Sequence, residues 1–260
     1  MIGSLAIGSG KGGNVTVSAR ESVSISGRND QDVSHSIVSF AAGDLGSISL
    51  SAPTVTLDGG AIGTPSLASG AFVGGQAGNI SVKANNLTLR GGGGIASATV
   101  TDGDEGSITV ETGRMTVSGG AVISAASGFR DPAMGTIVAG RGVAGNVVVT
   151  ATESVSFSGQ NSGLTSETLG RGNGGRISIS TPVLNLDDRA SISTDTVGAL
   201  PGAGPGGDIQ VQVGTASLAS GARVSSSTRG SGHGGALSVM ATDAISITGG
   251  QSRRSDRAVQ

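Results

Sequence analysis

The residues most suggestive of chemistry are glycines. In residues 170–180, GRGNGGRISIS, they crowd around positive charge and lead into regular structure, as a phosphate-cradling loop would. A nucleotide fingerprint needs a helix after the glycines, so that backbone N–H groups and the helix N-terminus face the phosphates. Here Ile177, Ser178, Ile179 and Ser180 alternate apolar and polar with period two, which is a strand pattern. Gly10-Lys11 is followed by Gly12 rather than Ser or Thr, so the P-loop pattern fails too. The spacing GxGxGG also occurs four times, from Gly8, Gly170, Gly202 and Gly230. A feature repeated along a chain reads as architecture, so no cofactor is expected.

The acids give no stronger signal. Asp58 and Asp187 hold equivalent repeat positions but lie four repeats apart, roughly 19 Å at sheet spacing. Carboxylates that share a glycosidic bond must be ~5–9.5 Å apart. Asp102, Asp104 and Glu105 form the densest acidic group, yet they fall short of the roughly six oxygens that Ca²⁺ takes, and a solvated turn is the expectation. His35 and His233 are isolated and the chain has no Cys, so neither a metal centre nor a nucleophilic relay is expected. No catalytic residue is assigned, and the chain is expected not to be an enzyme. The triplets at Asn14, Asn79 and Asn86 match a glycosylation sequon, but the repeat itself generates them.

Composition narrows the class. Of 260 residues 48 are Gly, with four Phe and no Tyr or Trp, so the core cannot lean on aromatics. Hydrophobic residues still make up 36% and charged ones only 13%, which is not a disordered composition. A net charge of −2 argues against a nucleic-acid surface. No run approaches the ~18 apolar residues of a membrane span, so no membrane insertion is expected. The first thirteen residues lack the basic start and apolar stretch of a signal peptide.

These elements repeat. The pattern Gly-x-(Ile/Val/Leu)-x-(Ile/Val/Leu) recurs at Gly13, Gly46, Gly78, Gly106, Gly145, Gly175, Gly207 and Gly235. A second alternating pair follows each anchor, beginning at Val23, Val55, Leu87, Met115, Val155, Leu184, Ala216 and Ile245. A third apolar position comes after, at Ile37, Ile62, Ile95, Ile123, Leu164, Ile192 and Val224, with more variable spacing. Of 32 inward positions on the first two strands, only Ala216 is not a large apolar residue. The strand centres are small and polar and face the other way. A unit of about 30 residues cannot bury its apolar face alone, whereas stacked units can.

The expected fold is therefore all-β, a parallel β-helix (solenoid) with three strands per rung and about eight rungs, roughly 38 Å long at sheet spacing. It is assigned to residues 1–249, with an incomplete rung at the N-terminal end. Residues 250–260 are assigned to a tail, either a partial last rung or disordered. Because Ile2 and Val259 both fall at third-strand positions, the chain is expected to be a segment of a longer array, prone to self-association.

Stretches such as GNGGRISISTPVLNLDDRASIST and GVAGNVVVTATESVSFSGQ resemble the repeat region of the filamentous haemagglutinin-like exoproteins of bacterial two-partner secretion. The resemblance covers about residues 1–250. It implies a right-handed β-helix that is secreted or held at the bacterial cell surface, and an outer-membrane secretion barrel as partner. It also implies a role in adhesion, with a cell-surface or matrix receptor. The family's Asn-Pro-Asn-Leu secretion signature is not in this sequence. The expected function is a non-catalytic stalk or surface-display segment of a large adhesin. The alternatives are a β-helix polysaccharide-active enzyme, disfavoured by the missing acids and aromatics, and an ice-binding protein, disfavoured because the outward rows are mostly Ser.

One loop stands apart. From third strand to next anchor the commonest spacing is 11 residues, but it is 16 after Ile62, 15 after Ile192 and 22 after Ile123. The longest insertion carries Phe129, Arg130, Asp131 and Met134, an aromatic, both charge signs and a Met together. Exposed loops on a rigid scaffold are where recognition usually lives, so these four are the candidate contact residues.

Overall fold

The computed structural model describes residues 1–6, 10–27, 36–41, 43–65, 75–99, 103–104, 106–130, 137–138, 140, 142–197, 204–229 and 231–249. The tail at 250–260 lies outside them, as does part of each insertion. No helix occurs among the described residues. Parallel strands stack as a β-solenoid. We number the rungs 1 to 8 by their anchor glycines, Gly13 to Gly235.

Each rung has a long side and a short side. Long-side strands form one sheet in the order Val15–Ser18, Ile48–Ser51, Ile80–Arg90, Ile108–Ser118, Val147–Ser158, Ile177–Asp187, Ile209–Leu218, Leu237–Ile247. In rungs 1 and 2 the side is completed by separate strands, Ser22–Ser26 and Thr54–Asp58. From rung 3 onward the first and second expected strands run as one. The inward alternation slips by one residue at the join: Ile80, Val82 and Ala84 face in, then Leu87 and Leu89. That slip bends the strand and lets both halves face the core without breaking the ladder. Ala84, Thr112, Ala151, Thr181 and Val213 sit buried at the inside of the bend.

The short side is an eight-stranded parallel sheet running from Ile2–Ala6 to Arg223–Ser225. Here the variable spacing of the third strands does not spoil their register. Ile37, Ile62, Ile95, Ile123, Leu164, Ile192 and Val224 align in one column. Both sheets are eight rungs deep. The two outermost rungs have a neighbour on one face only, and the solenoid makes about six turns, slightly fewer than the eight expected. The core shows the difference: Ile177, Val149 and Ile209 are at most 1% exposed, whereas Leu237 and Ile245 of rung 8 are both 48% exposed. Each fully covered Val, Ile or Leu contributes about 1.5–3 kcal/mol.

Not every inward residue is apolar. Two residues beyond the apolar column on the short side, Ser39, Ser97, Ser166 and Thr194 are fully buried. Their hydroxyls donate to anchor-glycine carbonyls: Ser39 to Gly13 at 3.2 Å, Ser97 to Gly78 at 3.3 Å, Ser166 to Gly145 at 2.6 Å and Thr194 to Gly207 at 2.5 Å. A buried carbonyl left without a donor costs about 1–3 kcal/mol, and these short side chains supply one without leaving the core.

Candidate functional site

The corner leading into the long side is built on GxxG in all eight rungs, from Gly10-x-x-Gly13 to Gly232-x-x-Gly235. The nucleotide-like GRGNGGRISIS belongs to this series, and Gly172 and Gly175 are its rung 6 members. The chain passes so close at this corner that a side chain on Gly175 would collide with the Gly145 carbonyl one rung earlier. The α-hydrogens point at those carbonyls instead, in the geometry of a weak C–H···O contact. Corner glycines thus serve stacking. Period two alone does not show their shared GxxG frame, which is visible in the sequence once the rungs are aligned.

The inserted loop leaves the solenoid after Val122–Ser127. Its strand Phe129–Arg130 pairs antiparallel with Ile137–Val138, matching Phe129 to Val138 and Arg130 to Ile137. This two-stranded sheet joins neither solenoid sheet. Asp131 and Met134 lie outside the described residues. The hairpin is rooted at Gly128, whose φ of 91° lies in the left-handed region that favours glycine. Ser127 at its base is fixed by backbone bonds to Glu167 and Leu169, at 2.9 and 2.8 Å. Its buried hydroxyl has no partner among the described residues. The corresponding hydroxyls of Thr168 and Thr196 donate to the carbonyls of Asn173 and Pro205. On either side of the Gly145 anchor that follows, the apolar residues Val143 and Val148 are 41% and 37% exposed.

The charged residues considered as chemistry are occupied elsewhere. Asp58 binds Arg90 of the next rung at 2.9 Å. Asp187 is held below the ordinary carboxylate range, first by a hydrogen bond from the Ser220 side chain and then by the Asp188 N–H. Asp104 accepts the N–H of Val143 at 3.1 Å, while Asp102 and Glu105 lie outside the described residues, as does His35. His233 sits exposed at the rung 8 glycine corner. Lys11–Asp44, Lys83–Glu111, Arg114–Glu153 and Arg176–Asp208 are ion pairs at 2.8, 3.1, 2.8 and 3.4 Å, each joining one rung to the next. The hydrogen bond between Lys11 and Asp44 raises the lysine and lowers the aspartate from their ordinary values. Among the described residues no three His, Cys, Asp or Glu side chains converge as metal ligands.

The outward face of the second long-side half is a continuous ladder. Ser24, Thr56, Thr88, Thr116, Ser156, Asn185, Ser217 and Ser246 stack in register. Comparison with known proteins finds no matching family model, no matching curated protein and no matching solved structure.

Proposed function

We propose that this chain is a non-catalytic structural stalk or surface-display segment of a large secreted bacterial adhesin, similar to the filamentous haemagglutinin-like exoproteins. The observation that carries the proposal is the stacked solenoid itself, with a Val/Ile/Leu interior, small hydroxyl residues outside and inter-rung ion pairs. Such a body gives length and stiffness, since each rung contacts only its neighbours. Recognition is assigned to the insertion at 128–142, which includes the four candidate contact residues and whose described strand pair joins neither solenoid sheet. The partners this reading requires are an outer-membrane secretion barrel and a receptor on a cell or matrix. The location is outside the cell or on its surface.

The test is adhesion of the purified chain to cells and matrix proteins, with and without the insertion. Saturable binding lost on deletion supports the reading. Cleavage of a polysaccharide panel, or thermal hysteresis in a freezing assay, would replace it with the enzymatic or the ice-binding alternative.

A further inference from the structure

The glycine corner holds a regularity with a period of two rungs. Two positions matter in each rung: the residue after the first glycine of GxxG, and the residue after the second. In every rung from 1 to 7 one of the two, and only one, is Asn or Asp. The position alternates. Odd rungs carry it after the second glycine, as Asn14, Asn79, Asn146 and Asp208; even rungs carry it after the first, as Asp44, Asp104 and Asn173.

The side chains have a common task. Six of the seven accept from the backbone N–H of the same position one rung on. Asn14 accepts from Ser47 at 2.8 Å, Asn79 from Ser107 at 2.8 Å, Asn146 from Arg176 at 2.9 Å and Asp208 from Ala236 at 2.9 Å. Asp44 accepts from Gln76 at 3.3 Å and Asp104 from Val143 at 3.1 Å. The seventh would cap residue 205, which is Pro and has no N–H to offer. A residue that receives a cap is never itself Asn or Asp.

We propose that this alternation is a stacking code, in which a rung is accepted only by a neighbour of the opposite phase. The core cannot supply such a code, because every rung offers it nearly the same Val, Ile and Leu side chains. A rung set one place out of step would bring Asp44 against Asp104 in one file, two carboxylates a sheet spacing of ~4.8 Å apart.

The test uses the whole chain with Asn146→Ala, Asn146→Asp, Asn173→Ala and the double variant Val143→Asn/Asn146→Ala. Thermal midpoint and amide hydrogen exchange are the readouts. Asn146→Ala is expected to lower the midpoint by about 2–4 °C and to speed exchange at the Arg176 amide about fivefold, the effect of one lost cap. Asn146→Asp keeps the acceptor and is expected to match the parent. Asn173→Ala is expected to leave the midpoint unchanged, since Pro205 needs no cap. Adding Val143→Asn supplies an acceptor in the same rung but in the wrong file, and is expected not to restore the midpoint. The proposal is overturned if Asn173→Ala costs as much as Asn146→Ala, or if Val143→Asn restores the parental midpoint. Should Asn146→Ala fail to fold, Asn146→Asp and Asn173→Ala still decide, since a lowered midpoint in either would overturn the proposal.

Discussion

Gly175 lies directly over the carbonyl of Gly145, and a methyl group added to it would also meet the Ser166 hydroxyl. Backbone cannot move aside there, because the next anchor, Gly207, stands in the same relation to the Gly175 carbonyl. Gly175→Ala is therefore expected to cost about 3 kcal/mol or more, at the upper end of overpacking. Gly10→Ala, with nothing within 4 Å of the new methyl, is expected to change stability little. Chemical denaturation of the two variants gives the comparison; equal midpoints would refute the stacking role of the corner.

Register within a strand is tested by neighbours. Ile177 is 0% exposed and Ser178 points outward. Ile177→Asp buries an unpaired carboxylate and is expected to cost several kcal/mol, about 3 or more. Ser178→Asp is expected to stay within about 0.5 kcal/mol of the parent. Similar melting of the two would mean that the inward face has been assigned to the wrong side.

The insertion is expected to be dispensable for folding. Removing eleven residues between Gly128 and Gly140 returns this rung to the 11-residue spacing of its neighbours. Loop length carries a small entropic term, and the hairpin joins neither solenoid sheet, so circular dichroism and thermal midpoint should be kept. A shortened chain that fails to fold would show the hairpin to be part of the core.

Acid sensitivity should be confined to the surface. The buried polar residues among those described are all Ser or Thr, so no ionisable group titrates inside. Asp44, held low by Lys11, stabilises the fold above the ordinary aspartate range, and that contribution is lost as pH falls through its lowered value. Lys11, held high by Asp44, contributes below the ordinary lysine range and loses its share as pH rises through its raised value. Carboxyl-carbon NMR titration should therefore show Asp44 moving back toward the ordinary range in Lys11→Ala. An unchanged Asp44 titration in that variant would refute the assigned cause.

Much of the fold is legible in the chain. The period-two alternation at Ile177–Asp187 states which side chains face in, because successive residues of a strand point to opposite faces. The anchor glycines and the third-strand apolar residues give the length of each rung, and the three enlarged spacings give the corner where insertions collect. The candidate contact residues were legible only as an unusual group. The structure puts Phe129 and Arg130 in an antiparallel pair, an arrangement their spacing did not announce.

What the sequence determined by itself is local: strand, face, turn and repeat length, all set by residues within a few positions of one another. Stacking decided the rest. Whether two expected strands bend as one, as in Ile80–Arg90, depends on the neighbours that hold both halves in a single ladder. Burial of Ser166 and Thr194 depends on glycine carbonyls 21 and 13 residues away that need donors. The cap from Asn146 to the Arg176 N–H spans 30 residues of chain but one rung of space. A hydrogen bond forms by distance and direction, and in a solenoid the nearest residue in space is a full turn away along the chain.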